Sequence, residues 1–137
     1  MSNAASNYLE DKLLDHTLRN TAFTQPSALY VALFYGTAAG VLTNLEAGTL
    51  SDEITLGNYA RQTVAFSASS SGATSNSGTV TFPVATANYD GAVTCVAVMD
   101  ASTSGNVLFY GELTTSKTVT TGDTFQIATG NLQISLT

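Results

Sequence analysis

The chain has 137 residues, and only 10% of them are charged. Formal charge is −6, with four basic residues, Lys12, Arg19, Arg61 and Lys117. A phosphate backbone or an anionic lipid surface needs clustered cations, so neither nucleic acid nor membrane is expected as a partner. Hydrophobic residues reach 44%, enough for one domain with a core of its own. The 22 Thr and 14 Ser carry most of the polarity and favour half-buried strands. We expect a single domain over residues 1–137, with residues 1–25 as an N-terminal helical arm.

Leu9, Leu13, Leu14 and Leu18 recur at helical spacing, with Asp11, Lys12, Asp15 and Arg19 opposite. Ser6 or Asn7 is placed to cap this helix, and Asp15 and Arg19 are spaced for an i,i+4 pair. The start carries acids where a signal peptide would have a basic segment and an apolar run, so secretion by that route is not expected.

After Pro26 the pattern is strand and turn. Leu29 to Phe34 is continuously apolar, as in a strand covered on both faces. Tyr35 to Asn58 lacks clear periodicity and reads as the longest irregular loop. Tyr59 to Phe66 alternates. Ser67 to Gly78 has loop composition, and Thr79 to Phe82 is a strand ended by Pro83. Asp90-Gly91, Ser104-Gly105, Thr121-Gly122-Asp123 and Gly130-Asn131 mark turns between Val93–Met99, Asn106–Leu113, Lys117–Thr120, Thr124–Ala128 and Leu132–Thr137. Val93 to Met99 is the most apolar stretch and is expected at the centre. About eight short strands with regular turn signals predict a mainly β fold, an antiparallel β-sandwich or jelly-roll-like domain with an N-terminal amphipathic α-helix.

Little in the chain suggests chemistry. His16 stands alone on the predicted helix, without the second ligand at fixed offset that a zinc site needs. Cys95 lies inside the apolar central strand, away from the electropositive setting of a reactive thiol. Asp52 and Glu53 offer hard oxygens, but their spacing matches no calcium loop. We expect no catalytic, metal-binding or cofactor-binding residue. Arg61 suits either a two-pronged contact to a carboxylate, in this chain or across an interface, or a solvated place on a strand edge.

Three groups of segments carry a family resemblance. One is Ser6–His16 with Leu29–Phe34. The second is Gly57–Phe66 with Asn76–Pro83. The third is Gly105–Leu113 with Lys117–Val119 and Gly122–Phe125. Together they resemble a family of small tailed-bacteriophage virion structural proteins, often labelled phage tail fibre proteins, whose relatives are thought to act as capsid cement. The chain departs from that pattern after Phe34, where an acidic, Pro-containing turn is common.

The resemblance implies a β-rich structural subunit, made in the host cytoplasm and resident in the virion. On that footing the leading expectation is a capsid decoration protein that binds and stabilises the shell through the major capsid protein. The alternative is a tail component: a fibre, baseplate or host-recognition module. A small subunit of this kind is expected to form a dimer or trimer. Tyr8, Leu9, Leu13, Leu14, Leu18, Tyr35 and Arg61 are the candidate interface residues, together with the loops at 35–58 and 67–78. A carbohydrate-binding module using Tyr35 or Tyr89 is a third reading, disfavoured by the absence of Trp.

Overall fold

The computed structural model describes residues 2–136; Met1 and Thr137, the ends of the expected domain, lie outside the described residues. Among the described residues the protein is mainly β, with nine strands in antiparallel sheets and two helices. Strands β1 (Ser2–Ala5), β2 (Leu29–Tyr35), β3 (Gln62–Val64), β6 (Val93–Met99) and β7 (Val107–Lys117) form one sheet in the order β1-β7-β6-β2-β3. Two short ladders pair β4 (Ala73–Ser75) with β9 (Gln133–Ser135) and β5 (Val80–Thr81) with β8 (Gln126–Ile127). The helices are α1 (Asn7–Leu18) and α2 (Ala38–Glu46).

β6 sits at the middle of the large sheet, as its apolar sequence predicts. β2, and β6 apart from Thr94, are apolar because both faces of the sheet are covered. Val31, Leu33, Val96 and Val98 point to one face, where Phe82, Phe125, Leu132 and the short ladders pack. Ala32, Phe34, Cys95, Ala97 and Met99 point to the other, where α2 lays down Val41 and Leu45. The period-two alternation of a strand divides each apolar run between two separate cores.

Several expectations need correction. The segment from Tyr35 to Asn58 is not one irregular loop, because α2 occupies its first half. Gly40, Thr43 and Asn44 are poor helix formers and hide the pattern. The helix forms because Val41 and Leu45, one turn apart, are both buried against the sheet. Ser67 to Gly78 contributes β4, held by β9. The expected strand from Lys117 to Thr120 is absent: β7 ends at Lys117, and Val119 enters the core from irregular backbone. Within β7 the register jumps from Cys95↔Glu112 to Val93↔Lys117, so Leu113–Ser116 bulge out opposite Thr94. The opening residues Ser2–Ala5 add an unexpected strand, pairing with Phe109–Glu112 at the edge of the sheet.

Gly57 shows why one turn needs glycine. Its φ is +76°, and a Cβ there would lie 2.6 Å from the Ala87 carbonyl oxygen and 2.8 Å from the Tyr89 ring.

Candidate interaction surface

The N-terminus is built around Ser6, which is fully buried. Its hydroxyl donates to the Val107 carbonyl and accepts from Leu9 N–H at 3.2 Å, capping α1. Ser6 N–H donates to the Leu108 carbonyl at 2.9 Å. One side chain thereby starts the helix and ties it to β7. Of the predicted leucine face, Leu9 turns inward at 5% exposure and Leu13 is half-buried, whereas Leu14 and Leu18 stand 55% and 77% exposed. Tyr8 is half-buried, with the Lys12 ammonium 5.7 Å from its ring centre. Asp15 and Arg19 pair at 3.4 Å in solvent. His16 is exposed, and its Nδ1 accepts from Phe23 N–H at 3.2 Å.

Arg61 and Tyr35 lie away from this arm. The Arg61 side chain is 3% exposed. Its Nε and Nη2 donate to the two carboxylate oxygens of Glu53, each at 2.8 Å. Its Nη1 donates at 2.8 Å to the carbonyls of Ala101 and Ser104. The carboxylate partner therefore lies within this chain. Tyr59 joins the group, donating its hydroxyl to Glu53 at 2.7 Å and accepting from Leu33 N–H at 3.0 Å. Burial, reinforced by the Glu53 carboxylate, raises the Tyr59 hydroxyl above its ordinary pKa. Burial works against the Arg61 charge, but Glu53 outweighs it, and the guanidinium pKa stands above its ordinary value. Tyr35 is half-buried; its N–H donates to the Asp52 carbonyl, and its ring lies so close to Gly91 that a Cβ there would meet it at 2.9 Å. Glu53 is thus held by Arg61 and Tyr59, and Asp52 accepts from Asn44 at 2.8 Å. Both acids are structural links inside the chain.

Other titratable groups serve the framework. Asp90 accepts from Thr55 N–H, Thr55 hydroxyl and Leu56 N–H, closing the turn before β6 onto residues 55–56. Cys95 is buried in β6, and that burial pushes its thiol up. Among the described residues, no three His, Cys, Asp or Glu side chains gather where they could hold a metal ion. No helix among them is long and apolar enough to cross a membrane.

A groove of about 720 Å³ lies between the bulge of β7 and the segment 123–133. Its lining includes buried Phe125, Ile127 and Leu132, with exposed Lys117, Gln126 and Gln133. None of the candidate residues lines it. The groove is not legible in the residues, because it depends on a register jump that no local pattern records.

These features define a mainly β subunit whose N-terminal helix carries a solvent-facing leucine edge. They fit a structural protein of a bacteriophage virion. The family model described as podophage GP4 fiber I protein gp80 matches residues 4–135, and the chain belongs to that family. No curated protein matches the chain.

Proposed function

We propose that this protein is a non-catalytic, self-associating subunit of the phage tail apparatus, acting as a fibre component. The observation that carries this reading is the exposed Leu14–Leu18 edge of α1, found on a member of a family described as a fibre protein. Apolar side chains presented together on one helix are suited to docking on another protein. The charge of −6 and the scarcity of cations point to protein partners, rather than nucleic acid or membrane. Synthesis in the host cytoplasm and assembly as a dimer or trimer complete this reading. We take the two short ladders as a second layer over the large sheet, which gives the body a sandwich-like or jelly-roll-like form.

Capsid decoration is a second reading, with the major capsid protein as partner. It is favoured by the shape of the body: β1, β7, β6, β2 and β3 form one short sheet, with no repeated shaft-like unit among the described residues. Quantitative mass spectrometry of purified particles separates the two. A few copies per particle, mapped to the tail by cryo-electron microscopy, support the fibre reading. Hundreds of copies on the shell overturn it in favour of decoration.

A further inference from the structure

We propose that the N-terminal arm, residues 2–18, is exchanged between copies of this chain. β1 and α1 of one copy dock on β7 of a second copy, in the register they use within a single chain. The inference rests on the self-association proposed above and names its structural basis.

The arm has the properties of an exchangeable element. β1 is the outermost strand of the large sheet, joined to the body by a short ladder with Phe109–Glu112. The rest of its attachment is equally compact: the Ser6 hydrogen bonds to Val107 and Leu108, and the burial of Leu9. The hydrogen bonds among these anchors all end on one strand, β7, with β9 also close to β1. A second copy presents the same strand, so the same hydrogen bonds and the same buried leucine are available to an incoming arm. Exchange therefore preserves the contacts already paid for by folding, which makes it a low-cost route to an oligomer.

The connector permits it. Residues 19–28 have no helix or strand, and Thr21, Ala22, Thr24, Gln25 and Ser27 are exposed. Thr21 N–H donates to the Asp15 carbonyl and Phe23 N–H to His16, so these bonds turn back onto α1 rather than onto the sheet. Fully extended, a segment of this length reaches about 33–36 Å, comparable with the width of a small domain. Exchange also gives a role to Leu14 and Leu18. In an isolated chain they face solvent; an arm lying between two bodies offers them a second protein surface.

The test uses full-length chains. Ser2 and Glu112 are register partners, so S2C and E112C place thiols at the end of the arm and on its acceptor strand. The native Cys95 is buried. Separately purified S2C and E112C proteins are mixed, unfolded, refolded together and oxidised. Sedimentation of the wild-type protein is measured alongside. Exchange predicts a mixed disulfide dimer containing one chain of each variant, well above the yield from S2C mixed with Thr86→Cys. An oligomer in sedimentation without the mixed disulfide overturns exchange and leaves self-association standing. A monomer without the disulfide overturns both. If either variant fails to fold by circular dichroism, Ala5→Cys with Phe109→Cys, also in register, gives the same readout.

Discussion

Arg61 grips Glu53 with two parallel hydrogen bonds, Nε to Oε2 and Nη2 to Oε1, each 2.8 Å long. The remaining guanidinium nitrogen reaches the Ala101 and Ser104 carbonyls, so one side chain ties the segment after α2 to the turn between β6 and β7. That turn holds Ser104 and Gly105 at positive φ, and Asp100 accepts from Asn106 N–H and side chain within it.

Replacing Arg61 with Ala leaves Glu53 without its cation and two carbonyls without a donor. Losing one partner of a buried ion pair costs about 3–5 kcal/mol, and the 17% exposure of Glu53 places this case at the lower end. Urea denaturation is expected to show a loss of about 3 kcal/mol. Arg61→Lys is expected to recover little, since one ammonium cannot match the planar fork that serves Glu53 and both carbonyls.

Ser6→Ala removes the cap of α1 and the bond to Val107 together. A cost of about 1–2 kcal/mol is expected. Because Ser6 anchors the arm, amide hydrogen exchange should accelerate across residues 2–12 while β6 stays protected. Uniform acceleration through β6 would show that the arm and the body open as one unit.

Phe82 stacks on Tyr59 at 5.9 Å and meets Phe125 edge-on at 5.7 Å, in the core on the ladder side of the sheet. Phe82→Ala is expected to destabilise the fold by about 3–5 kcal/mol, through lost burial and the cavity left behind. Thermal unfolding measures this loss directly.

Acid should weaken the fold through Asp90 and Asp123. Burial opposes ionisation of Asp90, but the hydrogen bonds from Thr55 and Leu56 prevail and hold its pKa below the ordinary 3.8. Backbone and side-chain hydrogen bonds from Thr120 do the same for Asp123. Both pKa values are depressed by folding. Their contribution is thus present above the unfolded value and lost as pH falls through the folded one. Stability should drop as pH passes below about 3.8, and Asp90→Asn should flatten that drop in urea titrations at stepped pH.

The local elements with strong patterns were legible in the residues. The leucine spacing of α1, the apolar runs of β2 and β6, and the Ser104-Gly105 turn all appear where their chemistry places them. α2 was hidden, because its weak formers are stabilised by a sheet assembled from distant residues. β4 was hidden for a related reason: Ala73–Ser75 has loop composition and becomes a strand by pairing with Gln133–Ser135.

The candidate surface divides in the same way. The spacing of Leu9, Leu13, Leu14 and Leu18 was enough to predict an amphipathic helix, since helical periodicity is a local property. Which leucines face water is a tertiary decision, made where Ser6 docks against Val107 and rolls Leu9 inward. Arg61 likewise advertised a two-pronged contact through its chemistry alone. Its partner was settled when the chain brought Glu53, Ala101 and Ser104 around one guanidinium, because desolvating that charge requires a hydrogen-bond partner at each of its three nitrogens.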